Sequence, residues 1–596
     1  MNLTKDLESK FKKLGISSWF ELALNIPHSY EDLRLHNKVE MSKANLIDAS
    51  IESVFRATNS IQITFYAFNL GFNVTGVLFR PKPYMMHQFK VGDRDYYYGL
   101  IDCKTGNCTM AMPKKVSSIG HITARYKCAL RSDVMLRLVQ NNLSLELLES
   151  EGLDSATAKE ILNIHFPKET INLKEMSEDT INALKYLELF SYMKQLSDKR
   201  RYFKTLVSQK QTYIEWMDSL PFTLTQDQIL AIKDIQNDFS KDIACRRMIV
   251  GDVGSGKTMV ILASAYMMRK HRSILMAPTT ILANQLYQEV LKFLPSLNSV
   301  LITNKSKKED LSQYDFIIGT HALLYRELPK AALVMVDEQH RFGTAQRNKL
   351  EKLVSDGEKK PHFLQFSATP IPRTLAMIET SHIDVSLITS TPFKKDITSM
   401  VIRKNDFKDL LIHIKSEIKK DNQVLLVYPL VVKSEILDYQ SIDEARSFWE
   451  KNFDNVYVTH GKDKEKEQVL LDFSNKGDML IATTVVEVGI SLPRLSTVII
   501  VGAERLGLST LHQLRGRVSR TGLKGYCYLY TNKEKSKRLE MFTSTISGFD
   551  IANLDLKYRK SGDLLKGTNQ SGTQFKWIDL AEDFEIVKAV KSDLEF

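Results

Sequence analysis

A chain of 596 residues is too long for one hydrophobic core, and length alone predicts roughly four domains. Hydrophobic residues at 43% and charged residues at 26% are the proportions of a globular protein. No run of 18 apolar residues suggests a membrane span, and "MNLTKDLESKFKK" lacks the apolar core of a signal peptide. A formal charge of +11 permits a polyanionic partner without requiring one.

In chain order, residues 50–128 are rich in aromatic and β-branched side chains broken by turn signals. "NLGFNVTGVLF" and "VGDRDYYYGLID" are examples, and they predict a small all-β domain. Within it, "CKTGNC" (Cys103 to Cys108) reads as a hairpin turn between two thiols, because no second pair completes a zinc site. The five cysteines, Cys103, Cys108, Cys128, Cys245 and Cys527, are few, odd and scattered, which fits reduced thiols. Residues 130–210 return to helical periodicity, as in "TINALKYLELFSYMKQLSDKRRYFKTL".

The middle of the chain alternates strand-like and helix-like segments. Predicted strands are "RRMIV" (246–250), "SILMAP" (273–278), "DFIIGT" (315–320), "ALVMVDE" (332–338) and "HFLQFSAT" (362–369). After a break at "ITSTPFKKD" (388–396) come "NQVLLVYPL" (422–430), "NVYVTHG" (455–461), "DMLIATT" (478–484), "TVIIVGAE" (497–504) and "GYCYLYT" (525–531). Short runs, apolar on both faces and separated by helix-length segments, imply parallel sheets covered by helices. Two such series predict two α/β lobes. The tail after residue 531 is polar and mostly helical in pattern.

"GDVGSGKT" (Gly251, Asp252, Val253, Gly254, Ser255, Gly256, Lys257, Thr258) follows a predicted strand and opens a predicted helix, the context that a P-loop needs. The glycines let backbone N–H groups turn inward around phosphate oxygens. Lys257 supplies charge to the β- and γ-phosphates, and Thr258 a hydroxyl to Mg²⁺. "MVDEQHRFG" (335–343) ends a strand in two adjacent carboxylates. Downstream of a P-loop, Asp337 is expected to hold Mg²⁺ and Glu338 to orient the attacking water. "FSATPIPRT" (366–374) is a weak signal by itself. In "LHQLRGRVSRTG" (511–522), Arg517 and Arg520 lie three apart and share a helix face, suited to the charge that develops on a γ-phosphate.

These pieces occur in the order found in superfamily 2 helicases and translocases. "DEQHRFG", "SATPIPRTLA" and "AERLGLSTLHQLRGRVSR" resemble the RecG family of branched-DNA helicases. The likeness extends to "NIPHSYEDLRL" (25–35), "ILNIHFPK" (161–168), "LPFTLTQDQ" (220–228) and "GFDIANLDLKYRKSGDLLKGTNQSG" (548–572), so it covers nearly the whole chain. It implies a multidomain α/β protein with two RecA-like parallel-sheet lobes. An OB-like β-barrel wedge, a helical linker and a C-terminal helical translocation element would complete it. The expected limits are 1–130 for the wedge domain (barrel about 48–128), 131–210 for the linker, 211–388 and 389–531 for the lobes, and 532–596 for the translocation element and tail.

The resemblance also assigns residues. Phe222 and Gln228 would contact adenine. Gln339 and His340 would couple nucleotide state to the DNA grip, and Arg341 and Phe342 would pack against the following helix. Ser367, Thr369, Arg559 and Gln570 would serve coupling and translocation, and Arg80 and Tyr84 would stack on bases at a fork. This sequence departs from the family at Ser491, where Asp is usual, and at Ser519, where Gly is usual, a mild change if its φ is helical. "LLKGTNQ" carries an inserted Lys566 and has Asn569 in place of Arg, and Arg80 stands where an aromatic is usual.

The implied activity is an ATP- and Mg²⁺-dependent, monomeric, cytoplasmic motor on double-stranded DNA. It would act at forks, Holliday junctions and D-loops to reverse forks and migrate branches in repair and recombination, with single-stranded DNA-binding protein as a candidate partner and no membrane. The rival readings are a transcription-coupled repair translocase and a non-enzymatic junction-binding protein with a degenerate motor.

Overall fold

The structure is a computed structural model. It describes residues 4–594 except 42, 58, 83–87, 105, 199, 369–377, 379–382, 394–395, 432–438, 485–491, 520–521 and 567–574; side chains of 556 and 559–566 are also left out. The chain divides into two compact units. One holds Met1–Lys194 with Thr573–Asp579 and Glu585–Phe596, and the other holds Gln195–Gly572 with Leu580–Phe584. Among the described residues no helix is long and apolar enough to cross a membrane.

The first unit is built on seven strands: β1 (Ser29–Asp32), β2 (Ala44–Ala57), β3 (Ser60–Ala67), β4 (Phe72–Phe79), β5 (Arg94–Lys104), β6 (Asn107–Val116) and β7 (Ile122–Arg125). Strands β2 to β6 close into a barrel in the order β2-β3-β4-β6-β5. The 14-residue β2 pairs with β3 at one end and β5 at the other, with a register shift between Ile51 and Ser53 that turns the corner. This is the strand order of an OB-fold. Alternation sends Ile61, Ile63, Phe65 and Ala67 inward, where Phe65 packs on Tyr97 with ring centroids 4.5 Å apart. The barrel thus starts and ends earlier than the expected 48–128, because β7 leaves it to pair with β1.

Cys103 and Cys108 oppose each other directly across the β5–β6 hairpin, with Cα atoms 4.0 Å apart, and are joined by a disulfide. The hairpin was expected and the bond was not. Antiparallel register brings the two thiols within bonding reach whatever the rest of the chain does.

Helices Ser132–Asn142, Leu145–Ser150, Ser155–His165 and Glu178–Asp198 follow the barrel. His165 is fully enclosed: its Nε2 donates to Ala23 O at 2.8 Å, and its Nδ1 accepts from the Tyr126 hydroxyl at 2.8 Å. Burial pushes its pKa down to about 4, so it is a neutral structural link. Part of the tail returns to this unit. The Glu188 carboxylate accepts hydrogen bonds from three successive backbone N–H groups, of Lys576, Trp577 and Ile578, at 2.7, 2.8 and 3.0 Å. Phe575 sits edge-on to Tyr192, and Asp593, in helix Phe584–Leu594, accepts from the Tyr186 hydroxyl at 2.5 Å.

The second unit holds two parallel sheets. The first contains β8 (Arg246–Gly251), β9 (Ser273–Met276), β10 (Ser299–Ile302), β11 (Phe316–Gly319), β12 (Leu333–Val336), β13 (His362–Ser367) and β14 (Asp384–Ile388), in the order β10-β11-β9-β12-β13-β8-β14. The second contains β15 (Ile397–Ile402), β16 (Gln423–Val427), β17 (Val456–Thr459), β18 (Met479–Ala482), β19 (Leu495–Val501) and β20 (Gly525–Tyr530), in the order β15-β20-β19-β16-β18-β17. Residues such as Leu333 and Met335 bury on one face while Val334 and Val336 bury on the other, as a doubly covered sheet requires.

Three strands escaped the sequence reading: β10, β14 and β15. Two are at sheet edges of the first lobe and one at an edge of the second, so each needs only a partly buried face and lacks the continuous apolar run. The tail also divides differently from the expected single element. Helices Lys537–Ser544 and Gly548–Lys566 stay with the second unit, where Ile551 and Leu554 join Leu508, Leu511 and Leu514 in one core. The expected linker splits too: residues 195–210 run along the first lobe, with Thr205 N donating to Asp242 O and Leu206 N to Lys360 O, each at 3.0 Å.

Glu188→Ala removes the acceptor of three N–H groups and should cost about 1–3 kcal/mol in the first unit. Limited proteolysis should then cut between residues 567 and 584 faster than in wild type; equal cutting rates would mean that the clasp is incidental.

Candidate active site

Strand order decides what meets at the carboxyl edge of the first lobe. β12, β13 and β8 are consecutive parallel neighbours, so their C-terminal ends bring Asp337 and Glu338, then Ser367 and Ala368, then Gly251–Thr258 side by side. The turn after β8 works because Gly254 (φ 77°) and Gly256 (φ 76°) take left-handed backbone that other residues avoid. Space is equally tight: a Cβ on Gly251 would sit 2.4 Å from Ser255 Oγ, and one on Gly256 would sit 2.2 Å from Gln228 Nε2. Helix Lys257–Met267 starts here with no side-chain cap, which leaves its first N–H groups to the loop. Lys257 Nζ donates to the carbonyls of Gly251 at 2.8 Å and Asp252 at 3.0 Å. Thr258 follows, half-buried, in the first turn.

Gln228 is buried and bonds at both ends of its amide. Oε1 accepts from Thr225 N at 2.8 Å in a capping box, and Nε2 donates to Ser255 O at 2.9 Å. It therefore braces the P-loop from behind. Phe222 is largely exposed and meets Phe293 edge-on, with centroids 5.9 Å apart.

Asp337 is buried, and its Oδ1 accepts from Glu338 N at 2.9 Å. Burial, reinforced by the neighbouring Glu338 charge and opposed by Lys257, pushes its pKa up to about 7. Glu338 stands in left-handed backbone (φ 49°, ψ 52°), a strained conformation for a side chain with a Cβ. That twist turns its carboxylate toward β13, where Oε2 accepts from Ala368 N at 3.2 Å. His340 Nδ1 lies 3.6 Å from the same oxygen. Gln339 Nε2 donates to Met248 Sδ at 2.9 Å, and its Oε1 accepts from Arg347 at 3.2 Å. Phe342 is buried with Leu350 and Val354 of the following helix, Thr344–Val354, as expected of it.

The second lobe reaches this edge through helix Leu508–Arg515 and the residues after it. A Cβ on Gly516 would lie 2.8 Å from the Val253 side chain, so the backbone leading into Arg517 abuts the P-loop. Arg517 is buried. Ser519 has φ 61°, so the condition for a mild replacement fails: a left-handed position suits the family's Gly and strains Ser by roughly 1–2 kcal/mol. Arg520, Thr369, Tyr84, Ser491, Asn569 and Gln570 lie outside the described residues, as do the side chains of Arg559 and Lys566. Arg80 is exposed at the end of β4, with φ 48°.

The sequence reading missed two pairs of residues. His512 and Arg515, buried beneath the P-loop contact, sit inside a quoted motif but carry no spacing signal of their own. Phe79, next to Arg80 in the chain, and Phe55 are exposed on the barrel at 60% and 66%, where inward alternation would have been the default for such residues. Among the described residues no cluster of three or more His, Cys, Asp or Glu side chains could hold a metal by itself.

The raised Asp337 pKa has a definite sign. Its carboxyl stays protonated in the folded protein while the unfolded chain ionises near the ordinary value of 3.8, so stability falls as pH rises toward about 7 and then levels off. Asp337→Asn should therefore gain in Tm over wild type between about pH 4 and 7, with a constant difference above, in thermal unfolding without nucleotide or divalent cation. A pH-independent difference would contradict a raised pKa.

Known proteins bear on this geometry. The DEAD/DEAH box helicase family matches residues 225–378, and the helicase conserved C-terminal domain matches residues 404–522. The ATP-dependent DNA helicase RecG of Helicobacter pylori strain J99 is 44% identical over 612 residues, covering 100% of this chain and 98% of the relative. That of Streptococcus pneumoniae serotype 4 is 32% identical, covering 98% and 92%. The solved structure of RecG bound to a three-way DNA junction superimposes with a TM-score of 0.57 at 24% identity, over 99% of this chain and 84% of that one, a likeness of fold. With relatives of that identity along its whole length, the chain belongs to the RecG family of ATP-dependent DNA helicases.

Proposed function

We propose that the chain is an ATP- and Mg²⁺-dependent motor on double-stranded DNA that acts at branch points, reversing forks and migrating Holliday junctions. The supporting observation is that the second lobe touches the P-loop itself, at Gly516 on Val253 and at His512 on Asp252. Events at the phosphates then bear on how the lobes meet. The protein would work in the cytoplasm as a monomer, with single-stranded DNA-binding protein as a candidate partner.

The residues suit the nucleotide and its cation. The loop is a cradle that a Cβ would fill, and Ser255 Oγ is buried with no hydrogen-bond partner among the described residues. Thr258 and Asp337 offer hard oxygen donors, and a magnesium ion usually takes only one or two such groups beside phosphate and water. Bound there, Mg²⁺ would neutralise phosphate charge. Lys257 would exchange its two carbonyl acceptors for phosphate oxygens, which are stronger acceptors because they are charged. Glu338, aimed by its backbone and by Ala368 N, would orient the attacking water. Arg517, with Arg520, would balance charge developing on the γ-phosphate. Phe222 and Gln228 would sense the base, Gln228 through its brace on the loop. Gln339, His340, Ser367 and Thr369 would relay nucleotide state, and Arg559 and Gln570 would serve translocation.

The barrel would act as the wedge. Arg80 stands where the family stacks an aromatic ring, and the exposed Phe79 next to it can supply that ring, beside the expected Tyr84. Duplex tracking would rest on phosphate contacts. The family likeness along the full chain speaks against a junction binder with a degenerate motor.

ATP hydrolysis measured without DNA and with single-stranded, duplex and four-way junction DNA tests the reading; a rate that no DNA raises would sink it. Lys257→Ala should lose ATP binding and turnover together. Glu338→Gln should keep binding and lose turnover by about 10²-fold or more. Turnover at the wild-type rate in Glu338→Gln would remove Glu338 from the chemistry. Phe79→Ala should keep duplex-stimulated hydrolysis and cut fork-over-duplex preference roughly tenfold, the scale of one base–aromatic stack. An unchanged preference ratio would take Phe79 out of the wedge.

A further inference from the structure

We propose that Asp252 is a positioning residue that couples the phosphate-binding backbone to the start of helix Gly548–Lys566, directly and through His512. The inference rests on the reading of the chain as a branched-DNA motor, and it adds the residues by which the P-loop would drive that helix.

Both oxygens of the Asp252 carboxylate accept a hydrogen bond from outside the P-loop. Oδ1 accepts from the next N–H in the loop, Val253 N, at 2.6 Å and from His512 Nε2 at 2.5 Å. Oδ2 accepts from Gly548 N at 3.1 Å, the first residue of helix Gly548–Lys566. One side chain thus ties the loop to the second lobe and to the tail helix at once.

Arg515 sets the direction of the His512 bond. Its Nη2 lies 3.0 Å from His512 Nδ1, and a guanidinium has only donors, so Nδ1 accepts and the ring hydrogen belongs on Nε2, facing Asp252. Nη2 also donates to the Ile546 carbonyl and Nη1 to those of Phe542 and Thr545, the backbone that leads into Gly548. Asp252 therefore reaches the same segment by two routes. Asp252, His512 and Arg515 are 8%, 3% and 4% exposed, so water competes little for these bonds. Phe549, one residue on, packs against Met248 and Val250 of β8, the strand that ends in the P-loop.

The other end of the link is the main chain of Asp252. Its carbonyl is an acceptor of Lys257 Nζ. A phosphate that takes the ammonium changes what holds that peptide, and the carboxylate on the same residue moves with it. Nucleotide chemistry then shifts the start of the helix that carries Arg559. Cutting the link should leave a motor that hydrolyses ATP without moving DNA efficiently.

Gly548→Pro removes the N–H that Asp252 accepts, at the first helical position, where proline is tolerated. His512→Phe keeps an aromatic ring but has no donor, whereas His512→Gln restores an N–H that can face Asp252. The experiment measures, on the full chain, ATP hydrolysed per four-way junction unwound. Gly548→Pro and His512→Phe should raise this ratio at least fivefold, with His512→Gln within twofold of wild type. A wild-type ratio in both Gly548→Pro and His512→Phe would overturn the proposal. So would equal, proportional loss of hydrolysis and unwinding in His512→Phe and His512→Gln, since that marks a packing role. Should the proline variant melt early, the two His512 variants decide by themselves. Wild-type protein that hydrolyses ATP on junctions yet never unwinds them would instead remove the underlying reading of the motor.

Discussion

Parallel pairing of β12, β13 and β8 is the constraint on which the site depends. Because these neighbours point the same way, one ammonium and two carboxylates converge on a single edge, half withdrawn from water. Asp337 shows the resulting tension. Desolvation and Glu338 push toward its neutral form while Lys257 pulls toward the charged one. A site poised in this way responds strongly when phosphate and cation alter the local charge. The strained backbone at Glu338 belongs to the same edge, where its carboxylate accepts from Ala368 N.

The second lobe meets that edge at close approach. Gly516 has no room for a side chain against Val253, and His512 spans the remaining distance to Asp252. Small steps in the loop are thus felt in a helix whose C-terminal end leads into Arg517. From there the path continues into helix Gly548–Lys566, whose apolar residues join the core of the second lobe while Phe549 rests on β8 of the first. The tail then ends on the barrel-bearing unit, where Glu188 gathers three backbone N–H groups.

The departures from the family sort by environment. Ser519 occupies a left-handed position that glycine fills without strain, and its hydroxyl is buried with no hydrogen-bond partner among the described residues. Arg80 is exposed and, at φ 48°, also stands in left-handed backbone, and Phe79 beside it offers the aromatic surface that Arg80 lacks.

Much of this was legible in the sequence because local physics is enough to write it there. A glycine-rich turn between strand and helix, a carboxylate pair ending an apolar run, and two series of doubly buried strands are short-range patterns, and each was found where it was read. Edge strands β10, β14 and β15 were not legible, since half-buried strands need no continuous apolar run. The Cys103–Cys108 bond, the return of the tail to Glu188 and the Asp252–His512–Gly548 contacts belong to tertiary structure alone. Asp252 and Gly548 are separated by 296 residues, and no periodicity or spacing records a pairing of that span. Only the packing of two lobes and a tail helix brings the carboxylate and the N–H within 3.1 Å.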